Sequence, residues 1–226
     1  MDLKTFKQKF NELEKRGFVK SQRTGNTGVG HTLESLLGIS ENNIALSDLD
    51  VAELKGHRKG SNSLITLFTL DRGAWLVNQL HAIHKYGLVD SSGRPNLYMT
   101  LYNGRGSGSL SLTVDSSGVT VSDRSGTVVA KWKLSDLAQS FEKKFPALMY
   151  VVAKVEVRGG TEWFHYESAT LLKGTSSKKM LEGIKKGWIA VDLRLHDNNG
   201  STRNHGTGFR IMELDFPKLF EERIEI

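Results

Sequence analysis

The chain reads as an α/β protein, and three features of the sequence carry that reading. Leu3, Phe6, Phe10 and Leu13 recur at helical spacing among charged residues, so 3–15 is expected to form an amphipathic helix. Val51–Leu54 and Leu64–Thr69 are short apolar runs rich in β-branched residues, the composition of strands in a mixed sheet. Beyond residue 96, short alternating runs are separated by Gly, Ser and Asp turns, the pattern of a meander of antiparallel hairpins.

Length and charge bound the function. A chain of 226 residues suffices for one sizeable domain or two packed lobes. Its net charge of +6 suits a polyanionic partner, because neutralising phosphates supplies much of nucleic-acid affinity. With no cysteine, disulfides, thiolate chemistry and Cys-ligated zinc are excluded. The start Met1-Asp2-Leu3-Lys4 lacks a secretion-type apolar core, and no run approaches the roughly 18 apolar residues of a membrane span. A soluble protein of a reducing cytosol is expected.

Taken in order, the helix at 3–15 ends at Gly17, and 18–23 is a short extended piece bearing Lys20 and Arg23. Thr24–His31 is rich in small residues whose backbone N–H groups could approach a phosphate. It lacks the Gly-Lys-Ser/Thr ending of a nucleotide loop, which leaves a loop against a nucleic-acid backbone or a plain helix entry. His31–Leu37 forms a short helix closed by Gly38, with Glu34 off the stripe of Leu33, Leu36 and Leu37. Gly56–Asn62 is expected to be a basic connection, in which Arg58 and Lys59 are phosphate contacts or solvated charges. Leu64–Thr69 is apolar enough for a central strand, and Ala74–Tyr86 is expected to be one helix with Trp75, Leu76, Leu80 and Ile83 on its apolar face. His81 and His84 lie on that helix without a third metal ligand nearby. Short strands follow at 97–101, 109–114, 119–122 and 127–133, with Arg105 and Arg124 in turns. A helix from Ser135 to about Phe145, a hairpin of 148–157 with 163–172, and a basic helix from Ser176 or Ser177 come next. Ile189–Leu195 is a strand whose Asp192 and Arg194 share a face, and it leads through the polar loop 196–208 to Phe209–Met212. Arginine can read guanine through two hydrogen bonds, so Arg194, Arg203, His205 and Arg210 are candidate base readers, with Asp192 as a base acceptor or a brace for an arginine.

The chemistry-bearing stretch is Ser47–Lys55. Alternation along a strand points Glu53 and Lys55 to one face and Ala52 and Leu54 to the other, with Asp48 and Asp50 in the turn just upstream. Two carboxylates converging from a turn and a strand make an oxygen site for Mg²⁺. A lysine beside that site can order or help deprotonate an attacking water and offset phosphate charge. The plain alternative is a solvated surface ion pair.

The run Gly28-Val29-Gly30-His31-Thr32-Leu33-Glu34, then Leu37-Gly38-Ile39, Glu41-Asn42-Asn43, Asp48 and Glu53-Leu54-Lys55 resembles the MvaI/BcnI family of type II restriction endonucleases. That family is related to the mismatch-repair nickase MutH within the PD-(D/E)xK nuclease superfold. The likeness is clearest over residues 17–70 and much weaker afterwards. It implies a PD-(D/E)xK core, a mixed sheet flanked by helices, with a hairpin-rich DNA-recognition lobe. One nuclease domain is expected, divisible into a catalytic lobe centred on 1–90 and 146–172 and a recognition lobe centred on 91–145 and 173–226. By the same resemblance Asp48 and Glu53 hold one or two Mg²⁺ ions, with Mn²⁺ substituting and Ca²⁺ binding without cleavage. Lys55 is then the catalytic lysine and Glu34 the helix-borne acid beside them. Asp50 stays an alternative to Asp48, and Ser47 stands where the superfold usually has Pro. Arg23, Thr27, His31, Arg58, Lys59 and Arg105 are expected against DNA along with Asp192, Arg194, Arg203, His205 and Arg210. The resemblance further implies double-stranded DNA as partner, action as a monomer, 5′-phosphate products, a cytoplasmic prokaryotic setting and a cognate DNA methyltransferase as functional partner. Two other classes remain open: a partner-dependent MutH-like nickase, nearly inert alone, and a non-catalytic nucleic-acid-binding module, which would make no cut with Mg²⁺.

Overall fold

Phe6, Phe10 and Leu13 do form one buried stripe, on α1 (Leu3–Lys15), which begins where Asp2 Oδ1 accepts a hydrogen bond from Thr5 N at 2.8 Å. The protein was analysed as a computed structural model, which describes residues 1–39, 43–45, 51–61, 64–71, 73–105 and 108–226. After α1 come β1 (Val19–Lys20), α2 (Gly28–Leu37), β2 (Asn43–Ala45), β3 (Val51–Arg58) and β4 (Leu64–Thr69). Next are α3 (Gln79–Tyr86), β5 (Leu88–Val89), β6 (Pro95–Leu101), β7 (Leu110–Asp115), β8 (Gly118–Asp123), β9 (Val128–Trp132) and α4 (Leu134–Lys144). β10 (Ala147–Arg158), β11 (Thr161–Lys173), α5 (Ser177–Lys185), β12 (Ile189–Asp197), β13 (Thr202–Asn204), β14 (Gly208–Met212) and β15 (Glu222–Glu225) complete the chain. None of the described helices is long and apolar enough to cross a membrane.

The chain divides into two compact units. The first comprises Met1–Asn62, Phe145–Gly174 and Phe220–Ile226. Its sheet has the order β1-β11-β10-β3-β2, with β15 also on β11. Strand β3 runs parallel to β10, with Glu53 opposite Leu148 and Lys55 opposite Tyr150, while β2 and β11 pair antiparallel to their neighbours. Period-two alternation sorts this sheet into two faces. Ala52, Leu54, Met149, Val151, Phe164 and Tyr166 join Phe6, Phe10, Leu33 and Leu37 of the helices in one buried core. Gly56 allows the close fit of α2 on β3: a Cβ there would lie 3.3 Å from Gly30 Cα and from the Val29 carbonyl oxygen. The buried Tyr166 hydroxyl fastens the same contact by donating to that carbonyl at 2.7 Å.

The second unit comprises Ser63–Lys144 and Thr175–Leu219. Its larger sheet has the order β4-β14-β12-β6-β5, with β13 on β12, and β7-β8-β9 form a three-stranded meander; 97–101, expected as the meander's first strand, lies instead in the larger sheet beside β12. Leu97, Leu101, Val191, Leu193, Leu195, Phe209 and Ile211 are all buried. Alternation assigns them to one face of the larger sheet, and Tyr98, Thr100, Asp192, Arg194, His196 and Arg210 to the other.

Several local expectations shift. Gly56–Arg58 continue strand β3 instead of forming a connection. Leu64–Thr69 is an edge strand, and its exposed Thr66 and Thr69 explain why it need not be central. The helix expected over 74–86 begins only after Asn78, whose side chain accepts from His81 N at 3.0 Å; Leu76 is exposed, and Trp75 is drawn into a bridge with Ala130. Helix α2 begins at Gly28 rather than His31, because at position 28 only a glycine clears the Arg23 carbonyl, which a Cβ would approach to 2.5 Å. Residues 63–90, grouped at the sequence level with the first lobe, belong to the second unit apart from those outside the described residues.

Replacing Tyr166 by Phe removes the link between α2 and β11 and is expected to cost about 1 kcal/mol of stability, read as a lower urea midpoint with unchanged slope. An unchanged midpoint would show that this hydrogen bond does not hold the helix.

Candidate functional site

Strand β3 presents Glu53 and Lys55 on the face opposite the helix-side core. Glu53 is exposed, and Lys55 is half-buried with its Nζ 5.9 Å from the centre of the Phe145 ring. His57 follows on the same face, buried and stacked at 5.3 Å on Tyr150, the residue opposite Lys55. Sequence reasoning missed His57 because it ended the strand too early, and Tyr150 because only the parallel pairing of two distant strands sets it beside Lys55. Asp48 and Asp50 lie outside the described residues. An exposed carboxylate with a half-buried ammonium two residues on is suitable chemistry for a hard divalent cation beside a phosphate. Among the described residues no group of three or more acidic or histidine side chains is placed to hold a metal ion.

Glu34 sits half-buried on α2, its Oε1 3.7 Å from where a Cβ on Gly30 would lie. Its charge reaches Tyr166, whose hydroxyl burial pushes well above the ordinary tyrosine range; Glu34 adds to that shift and Arg58 opposes it. Arg58, expected against phosphates, is engaged within the protein. Its Nε and Nη2 bind Glu162 at 3.0 and 2.7 Å, and its Nη groups donate to the Asn26 and Gly25 carbonyls at 2.8 and 2.9 Å. It therefore ties the glycine loop to the β10–β11 hairpin. Lys59 shares Glu167 with Lys154, and those two ammonium groups, Lys154 foremost, hold that carboxyl below its usual range. Arg23, Thr27 and His31 are exposed around the start of α2, where Thr27 is the N-cap residue without a side-chain cap bond. Arg105 is exposed in its turn.

In the second unit Asp192 is the centre of a polar cluster. It is 3 % exposed and accepts from Thr100 Oγ1 at 2.7 Å, Arg194 Nε at 2.8 Å and Arg210 Nη1 at 3.2 Å. Asp192 thus braces two arginine side chains. Arg210 also donates from Nη2 to the Leu64 carbonyl at 3.1 Å. Arg194 bonds Asp192 through Nε, and its side chain is exposed. Its guanidinium lies 5.9 Å from the Tyr98 ring centre, and the Tyr98 hydroxyl bonds to His196 Nδ1 at 3.0 Å. The His205 ring lies 5.3 Å from His196, and its backbone N–H donates to the Arg194 carbonyl at 3.0 Å. Arg203, on β13, is exposed opposite His196. Tyr98, Thr100 and His196 were not singled out from sequence, although the period-two pattern of 97–101 puts Tyr98 and Thr100 on one face.

Asp192→Ala is expected to lower stability by about 2 kcal/mol, since two guanidinium groups lose a shared charged acceptor; unfolding within error of the parent would contradict the brace. Burial, and then the neighbouring Arg94, His205 and Arg203, hold the His196 imidazolium below its usual pKa. Its stabilising contribution is therefore complete above about pH 6.5 and is lost as pH falls through the lower folded value. Urea midpoints measured from pH 7.5 down to pH 5 should fall less for His196→Asn than for the parent, and equal declines would refute this.

Among solved structures that share the fold, two match over nearly the whole chain as follows. The complex of restriction endonuclease MvaI with cognate DNA substrate matches with a TM-score of 0.65 and 25% identity, covering 99% of this chain and 97% of that one. MvaI in the absence of DNA matches with a TM-score of 0.65 and 24% identity, covering 98% and 97%. No curated protein matches the chain. The sequence model of the MvaI/BcnI restriction endonuclease family matches residues 7–220, far beyond the stretch where the likeness is legible by eye, and the chain belongs to that family.

Proposed function

We propose that the chain is a type II restriction endonuclease that hydrolyses duplex DNA at a short specific sequence in a Mg²⁺-dependent reaction. The observation that carries this is the pairing of Glu53 and Lys55 on one face of β3 in a chain of this family. The cognate DNA of the related MvaI complex supports a duplex as substrate.

Asp48, or Asp50 in its place, and Glu53 would hold the cation. When bound, Mg²⁺ supplies charge neutralisation at the scissile phosphate and at the departing 3′ oxygen. Lys55 orders the attacking water, takes up or relays its proton, and offsets charge on the phosphate. Glu34 is the additional acid beside them. Arg23, Thr27, His31, Lys59 and Arg105 contact the DNA backbone. Arg194, exposed and anchored to Asp192 through Nε, is suited to a bidentate contact with a guanine edge, and Arg203, His205 and Arg210 extend that readout. Hydrolysis with departure of the 3′ oxygen leaves 5′-phosphate ends. The protein acts as a monomer in the cytoplasm of a prokaryote, with a cognate methyltransferase protecting the host's sites.

Lys55→Ala and Glu53→Ala are each expected to lower the cleavage rate at least about a hundredfold while duplex binding measured in Ca²⁺ stays within a few-fold of the parent. Cleavage by both variants at the parental rate would overturn the catalytic assignment.

A further inference from the structure

We infer that Asp71 is a positioning residue for sequence discrimination: it clamps the loop His205-Gly206-Thr207-Gly208 that presents His205. This rests on the proposal that His205 helps to read bases. Asp71 lies just after β4, in a stretch with no motif of its own. Its Oδ2 accepts from Thr207 N at 2.8 Å, and its Oδ1 accepts from Thr207 Oγ1 at 2.7 Å and from Trp75 Nε1 at 3.0 Å. Thr207 is fully buried, and its carbonyl takes a hydrogen bond from Leu70 N at 3.0 Å. The loop is held on its other side as well. Gly206 N donates to Asn204 Oδ1 at 2.8 Å, and His205 N donates to the Arg194 carbonyl at 3.0 Å. Gly206 itself has φ +90°, and a Cβ there would come within 3.0 Å of Thr69 Cβ, so the loop cannot relax by substitution at that point.

The backbone of this loop is therefore fixed on both sides while the His205 side chain stays exposed. A charged carboxylate accepting backbone and hydroxyl donors on one buried residue is a strong, directional restraint. Freeing it lets His205 sample other positions, which blurs a base contact without touching the hydrolytic residues.

The test compares kcat/KM on duplex oligonucleotides carrying the cleavage site and on each single-base variant of it. His205→Ala, Asp71→Asn, Thr207→Val, Thr207→Ser and the double variant Asp71→Asn/His205→Ala are measured, each with its melting temperature. Asp71→Asn and Thr207→Val should lose about tenfold in discrimination at the same base pair that His205→Ala relaxes. Thr207→Ser, which keeps both hydrogen bonds, should discriminate like the parent, and the double variant should lose no more than His205→Ala alone. If His205→Ala keeps full discrimination, the base-reading role of His205 fails and the inference falls with it. If His205→Ala relaxes specificity but Asp71→Asn and Thr207→Val only lower the rate uniformly on all sites, or only the melting temperature, the positioning role is overturned and the His205 reading stands.

Discussion

The parallel register of β3 against β10 is the constraint on which the first unit depends. By setting Leu54 opposite Met149 and Lys55 opposite Tyr150, it commits alternate residues of both strands to opposite faces. A slip of one residue would turn Ala52 and Leu54 out of the helix-side core and bury a carboxylate and an ammonium among Phe6, Phe10 and Leu33. The cost of burying unpaired charge makes that slip prohibitive, so packing energy alone fixes which way the chemistry-bearing side chains face. The hydrogen bond from Tyr166 to Val29 and the bare Cα of Gly56 then let α2, the carrier of Glu34, lie close to the same strand.

The second unit applies the same period-two logic to a different end. One face of β12 and its neighbours is apolar and closed, and the other gathers Asp192, Arg194, Arg210, Thr100, Tyr98 and His196. A surface ion pair of two long side chains would hold little. Here one buried carboxylate organises two guanidinium groups, and a ring propped by a histidine lies beside one of them. Side chains held in this way lose little further freedom on meeting a ligand.

The sequence reading succeeded where periodicity was strong and local. The stripe of Phe6, Phe10 and Leu13, the β10–β11 hairpin, the individual strands β7, β8 and β9 and the shared face of Asp192 and Arg194 were all legible from spacing, but not that 97–101 would leave the meander for the larger sheet. It faltered where tertiary contacts override local pattern. Trp75 has the right spacing for a helix face, yet its indole is drawn to Asp71 and its backbone to Ala130, so α3 starts later. Gly56-His57-Arg58 reads as a loop by composition, and only packing against α2 and β10 extends the strand through it. The bond of Arg58 to Glu162 was not legible, because the two residues lie 104 positions apart in the chain. Asp71 was invisible for the same reason: its partner Thr207 is 136 residues away. The candidate metal acids were legible only as a motif, and Asp48 and Asp50 lie outside the described residues.

The measurement that bears most directly on the account is digestion of random-sequence duplex DNA by the purified protein, with and without Mg²⁺, followed by sequencing of the fragment ends. The account predicts ends that appear only with the divalent ion, carry 5′-phosphates and fall at one short sequence. Intact DNA under both conditions, or ends scattered over unrelated sequences, would contradict it.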